Sequence, residues 1–259
     1  MTTRFIGRIA VELDGDGDIV LMIHGLGGTS NVWTPLMPVL ARHRVIRPDL
    51  PGAGRSYRVE GALSISAFVD AICRICDQFK IERAHVVGHS LGTIIAFHLA
   101  ASVPKLVRSL ALYGPLLAPP DAARAGLRAR AEAARQAGDM QAIADQVVSA
   151  STAAETRARR PAAAAMIREL LMRQTTDGYA RSCEALADAQ AADIAGLACP
   201  VLLVTGDEDA IAPAQAVRQL GARIPGARVE VLTRCGHWTT LEMPEACADL
   251  LARFYRQRM

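Results

Sequence analysis

Two hydrophobic rhythms alternate along the first 115 residues. Short, mostly apolar runs at 5–13, 19–24, 44–48, 84–88 and 107–113 have strand character. Between them, 32–41, 65–79 and 91–101 repeat their apolar positions at helical spacing, as Phe68, Ile72, Ile75 and Phe79 do. Near-continuous apolar strands alternating with helices predict a mostly parallel sheet with helices on both faces. Asp14-Gly15-Asp16-Gly17-Asp18 reads as a turn between an edge hairpin and the first parallel strand. A calcium loop of the EF-hand kind would need a distal glutamate that the segment lacks.

The rhythm breaks at Gly114-Pro115 and again at Pro119-Pro120. An Ala- and Arg-rich stretch follows, with helices expected at 121–137, 140–150, 161–174 and 177–189 and no strand-like run. Its apolar positions (Leu127, Ile143, Val147, Met166, Leu170, Tyr179) are too sparse to support a core of their own. Residues 116–195 are therefore expected to form a helical cap resting on a core made of 1–115 and 196–259. In the second part of that core a strand is expected at 200–205, a helix at 214–223, a strand at 228–232 and a final helix at 244–255.

Composition narrows the function classes. Of 259 residues 51% are apolar, enough for a sizeable core, and the net charge of +3 is too mild to imply a nucleic-acid partner. The dense basic run, Arg157-Ala158-Arg159-Arg160, reads as a solvated helix end. The first residues lack the apolar centre of a signal peptide, and no stretch approaches the roughly 20 apolar residues of a membrane span. A cytoplasmic setting is expected, with the six scattered cysteines reduced. Cys73 and Cys76 form a C-x-x-C, but inside an amphipathic helical run rather than at a helix start. No second Cys or His pair completes a zinc set.

The chemistry begins at Gly88-His89-Ser90-Leu91-Gly92, between a strand and a helix. A sharp strand-to-helix turn strains its central residue and brings the positions two away too close for side chains. That is why glycine flanks a serine whose oxygen stands exposed at the sheet edge. The Leu91 N–H opens the following helix, where an oxyanion is stabilised. A serine nucleophile needs a base oriented by an acid. Of the six histidines, His237 alone follows Ser90 with a strand before it and a loop around it. His24 closes the first parallel strand, His85 and His89 read as structural, His98 as a packed helix residue and His43 as a surface residue. Asp207, Glu208 and Asp209 follow the preceding strand. Asp209 is preferred because it leads the loop into a helix, whereas Asp207 suits the turn itself. His24-Gly25-Leu26-Gly27-Gly28 closes the first parallel strand, and the Leu26 N–H can be a second oxyanion donor. A phosphate-binding loop is excluded, since neither glycine pattern for one is present.

With these residues in place, the chain resembles the serine hydrolases of the α/β-hydrolase superfamily. The matching segments are HGLGGTSNVW (24–33), RVIRPDLPGAGRS (44–56), GHSLG (88–92), GDEDAIAP (206–213) and GHWTTLEMPE (236–245). The resemblance implies an α/β-hydrolase fold: an eight-stranded, mostly parallel sheet with a cap after the sixth strand. It also implies a Ser90–Asp209–His237 triad with Leu26 and Leu91 as oxyanion donors. Bacterial carboxylesterases and 3-oxoadipate enol-lactonases look most similar. Thr93 departs from them, because many carry a second glycine there.

The expected reaction is ester hydrolysis through an acyl-enzyme, on a small-molecule ester or lactone. No metal or organic cofactor is implied. Lactone opening, C–C bond hydrolysis and perhydrolysis run on the same geometry, and a binding protein on a hydrolase scaffold is the rival from another class. Leu26, Trp33, Leu127, Met140, Met166 and Trp238 are the expected walls of an apolar pocket. Arg124, Arg128 and Arg173 could bind a substrate carboxylate but are read as surface residues of the cap.

Overall fold

The structure, a computed structural model, describes residues 1–256. Its strands are β1 (Thr2–Ile6), β2 (Ile9–Asp14), β3 (Asp18–Ile23), β4 (His43–Pro48), β5 (Ala84–His89), β6 (Val107–Tyr113), β7 (Val201–Gly206) and β8 (Arg228–Leu232). They form an eight-stranded sheet in the order β1-β2-β4-β3-β5-β6-β7-β8. β1 and β2 are antiparallel to each other, β2 is antiparallel to β4, and every other pairing is parallel. The run expected as one strand at 5–13 is thus two, because a turn at Gly7-Arg8 folds it into a hairpin with Ile6 opposite Ile9.

Strand alternation divides the core in two. Leu21, Ile23, Val86, Leu110, Leu112, Val201 and Leu203 face one cluster, built largely with α1 (Ile65–Gln78) and α2 (Leu91–Ser102). Val20, Met22, Val87, Ala111, Tyr113, Leu202 and Val204 face the other. α2 is buried on nearly every side, which explains why its sequence is apolar all round rather than striped. The stretch Ser30–Leu40 covers the second face as a 3₁₀ coil, not the α-helix expected at 32–41. Pro35 and Pro38 lie inside it and remove two of the N–H groups an α-helix would use.

Between β6 and β7 come α3 (Asp121–Ala137), α4 (Gln141–Ser151), α5 (Ala154–Arg159), α6 (Pro161–Met172) and α7 (Thr176–Ala187). α3 and α7 pack along each other. The short α5 was not anticipated and carries the basic run. There Arg157 and Arg159 are exposed, with Arg157 donating to the Thr152 carbonyl, while the half-buried Arg160 donates to the Glu242 carbonyl. After β7 the chain forms α8 (Ala214–Ala222), α9 (Thr239–Glu242) and α10 (Pro244–Arg256). No described helix is long and apolar enough to cross a membrane. Cys73 and Cys76 are unpaired in α1, and burial pushes the Cys76 thiol up to about 12, away from redox chemistry.

Candidate active site

β5 passes into α2 through one residue, Ser90, with φ 52° and ψ −118°. Such a backbone costs an L-residue on the order of 1–3 kcal/mol and persists only where its surroundings over-determine it. Here the Ser90 N–H donates to the Tyr113 carbonyl at 3.0 Å, and the Thr93 hydroxyl donates to the Ser90 carbonyl at 2.6 Å. A Cβ on Gly92 would lie 2.0 Å from the Ile23 carbonyl oxygen, and one on Gly88 2.7 Å from that of Gly92. Strand and helix can approach this closely only with glycine at both places. Thr93 also accepts a hydrogen bond from the Leu116 N–H at 2.9 Å. The departure from the glycine pattern therefore ties the elbow to the chain leaving β6.

The strand ends gather the other groups at the same edge. After β3, His24 Nε2 accepts from the Leu50 N–H at 2.8 Å, so Nδ1 carries the proton and donates to the Gly25 carbonyl at 2.8 Å. Burial lowers the His24 pKa and favours this neutral form. The loop so held places Leu26 on the cavity that Ser90 lines. Leu91 stands at the first position of α2, where N–H groups have no acceptor within the helix.

Asp209 follows β7 and His237 follows β8. His237 Nδ1 lies 2.8 Å from Asp209 Oδ2, and His237 Nε2 lies 2.8 Å from Ser90 Oγ. Burial pushes the Asp209 carboxyl up. The His237 ring and the Ile211 and Ala212 N–H groups, both bonded to Oδ1 at 2.8 Å, outweigh it and bring the pKa down to about 2. An ionised carboxylate only accepts, so His237 Nδ1 carries the proton and Nε2 is free to accept from the Ser90 hydroxyl. Asp207 instead accepts from the Cys235 N–H at 3.2 Å, and Glu208 accepts from the Ala154 N–H at 2.9 Å.

The depressed Asp209 pKa makes a pH prediction. Its stabilisation is fully present above the ordinary value of 3.8 and is lost as pH falls through about 2. Asp209→Asn should cost about 2 kcal/mol in urea unfolding at pH 7. The gap from wild type should shrink as pH drops from 4 toward 2. A gap that stays constant over that range would refute the ionic account.

The loop carrying His237 is clamped from several sides. His89 Nε2 donates to the His237 carbonyl at 2.9 Å, and its ring lies tilted against those of His237 and Trp238, with centroids 5.1 and 5.2 Å away. Burial, then the neighbouring His237, pushes the His89 pKa down to about 3, so it stays neutral. From α4, the Ser151 carbonyl accepts the His237 N–H at 2.8 Å and the Ser151 hydroxyl accepts the Trp238 indole N–H at 2.9 Å. Glu242 is fully buried. One of its oxygens takes hydrogen bonds from the Ala153 and Gly236 N–H groups and the Thr156 hydroxyl at 2.7, 3.1 and 2.7 Å, and the other takes the Trp238 N–H at 3.0 Å.

Ser90 and His237 open on a cavity of about 330 Å³, in the small-molecule range. Of the six expected walls, Leu26, Leu127 and Trp238 line it, and Trp33, Met140 and Met166 do not. Trp33 is fully buried on the sheet face, edge-on to Tyr113 at 6.3 Å. Met140 is buried and Met166 partly buried in the same cluster, so both fill the seam beneath the inserted helices. Leu116, Arg130, Tyr179 and Ile211 line the cavity and were not anticipated. His43, expected at the surface, is half-buried, with its ring 5.4 Å from that of Tyr255. Arg124, Arg128 and Arg173 are ion-paired with Asp121, Asp188 and Glu169 and do not reach the cavity. Among the described residues, no three His, Cys, Asp or Glu side chains gather where a metal could bind.

A sheet of this topology, with a serine on the elbow after β5 and an acid and a histidine after the last two strands, defines an α/β hydrolase. The chain belongs to the alpha/beta hydrolase family, whose profile matches residues 20–250. It is 32% identical over 262 residues to 2-hydroxymuconate semialdehyde hydrolase of Pseudomonas sp. CF600, covering 95% of this chain and 90% of that one. The enol-lactonase of Burkholderia xenovorans LB400 superposes with a TM-score of 0.90 at 26% identity, covering 98% of this chain and 100% of the other. A thermophilic esterase from Thermogutta terrifontis, solved with malate bound, gives 0.89 at 26% identity, with 96% and 93% covered. A further match, 41% identical over 102 residues to a protein of Azorhizobium caulinodans, spans only 39% of this chain and 38% of that protein.

Proposed function

We propose that the protein is a serine hydrolase that cleaves small carboxylic esters through an acyl-enzyme. The observation that carries the reading is the unbroken hydrogen-bonded chain from Asp209 through His237 to a strained Ser90 that opens on an apolar cavity. Ser90 Oγ attacks the ester carbonyl as His237 Nε2 takes its proton. The Leu26 and Leu91 N–H groups hold the oxyanion, and Asp209 keeps the imidazole oriented and stabilises its charge. His237 then hands the proton to the departing alkoxide. A water attacks the acyl carbon, loses its proton to His237, and the acid leaves with Ser90 restored. Residues 116–195 act as the cap that closes the site from above. The six unpaired cysteines suit a reducing, cytoplasmic setting.

Lactone opening is the second reading, supported by the likeness to the enol-lactonase along nearly the whole of both chains. It needs the same groups, since a lactone is an internal ester. C–C bond hydrolysis is favoured less by the site than by the relationship to 2-hydroxymuconate semialdehyde hydrolase.

The test is covalent. A fluorophosphonate should label the wild-type protein on Ser90, as read by peptide mass, and abolish hydrolysis of 4-nitrophenyl butyrate. Turnover of the ester without an adduct on Ser90, or no turnover and no adduct, would remove the reading.

A further inference from the structure

Among the described residues, Arg130 is the one Lys, Arg, Asp or Glu side chain that lines the cavity. Its setting differs from that of the other arginines on α3 and of those on or just after α6 and α7. Arg124, Arg128, Arg135, Arg168, Arg173 and Arg181 each pair with an aspartate or glutamate. Arg130 has no acidic partner among the described residues and is half-buried, on the face of α3 that also carries Ala123 and Leu127 into the cavity. Tyr179 lines the cavity beside it, and its hydroxyl is pushed up by burial and pulled back by the Arg130 guanidinium. A guanidinium stays charged, and holding it against apolar walls without a counter-charge is unfavourable unless an anion arrives. Its planar fork matches a carboxylate in two parallel hydrogen bonds, and a tyrosine hydroxyl beside it can supply a third donor.

We infer that the cavity selects substrates carrying a carboxylate away from the bond to be broken, anchored by Arg130 with Tyr179: the hemi-ester of a short dicarboxylic acid. The apolar walls take the carbon chain and Ser90 faces the carbonyl. This rests on the reading of Ser90 as nucleophile, and it names the substrate class for that same site.

The experiment separates the two ideas by measuring binding without turnover. Monomethyl glutarate and its neutral counterpart, dimethyl glutarate, are titrated calorimetrically into the Ser90→Ala protein. The acid ester should bind at least 10-fold more tightly, and the preference should vanish when Arg130→Gln is added. Arg130→Met, which keeps the aliphatic stem, should behave as Arg130→Gln does, and Arg130→Lys should restore part of the preference. Equal binding of the two esters, or a preference that survives both neutral variants, would overturn the inference even if wild type hydrolyses esters. An Arg130-dependent preference in a protein that hydrolyses neither ester would uphold the anion site and sink the hydrolase reading instead.

Discussion

The Ser90→Ala protein is expected to lose ester turnover by about 10⁴-fold or more while keeping its fold. The size follows from what the hydroxyl does in the proposed chemistry. Without Oγ no acyl-enzyme forms, so His237 and the two N–H donors can only assist direct attack by water. The fold should survive because the Ser90 backbone, not its side chain, holds the elbow, through Tyr113 and Thr93. Oγ bonds to His237 Nε2 at the cavity wall, where water can replace it. The measurement is kcat/KM on 4-nitrophenyl butyrate beside a thermal melt. A folded Ser90→Ala protein with more than about a tenth of wild-type activity would remove Ser90 from the mechanism.

Glu242→Ala should be the most damaging substitution outside Ser90, Asp209 and His237. It leaves three backbone N–H groups and the Thr156 hydroxyl buried without their acceptor. Each orphaned donor costs about 1–3 kcal/mol, and the losses overlap, so urea unfolding should show a deficit of about 4 kcal/mol. Glu242→Gln should fall between, since its single oxygen can still serve the three donors that share one carboxylate oxygen, while its amide opposes the Trp238 N–H. Two of the orphaned N–H groups flank His237, so kcat should fall well below the melting temperature, with a smaller change in KM. A variant that is destabilised yet keeps wild-type kcat at low temperature would show that Glu242 holds the fold alone.

Much of this was legible in the sequence because the relevant physics is local. Alternating short apolar runs placed the strands, and a glycine pair around Ser90 marked a turn that admits no side chain at either place. Asp209 and His237 were placed beside the elbow by the strands they follow. The two prolines in 30–40 were equally visible and should have ruled out an α-helix there. What escaped depends on contacts between distant segments. Apolar character cannot say whether Trp33, Met140 or Met166 faces a cavity or the sheet, since both environments reward the same side chains. Arg130 did leave a trace: it falls seven residues after Ala123 and three after Leu127, on the apolar stripe of its own helix. Glu242 lay within a segment already singled out, GHWTTLEMPE, but its partners Ala153 and Thr156 come from the inserted helices, 89 and 86 positions earlier. No spacing rule reaches that far.

The grip of Ser151 on the His237 loop has a consequence for how such a hydrolase can diversify. The inserted helices supply not only walls of the cavity but also the carbonyl and hydroxyl that hold His237 and Trp238. They are not an interchangeable cassette. A foreign insertion grafted between β6 and β7 has to bring equivalent groups to the place of residue 151, or a change of substrate range arrives together with a loosened histidine. Lineages descending from such a fold are then free to vary α3, which lines the cavity, while the C-terminal turn of α4 stays bound to the chemistry below it.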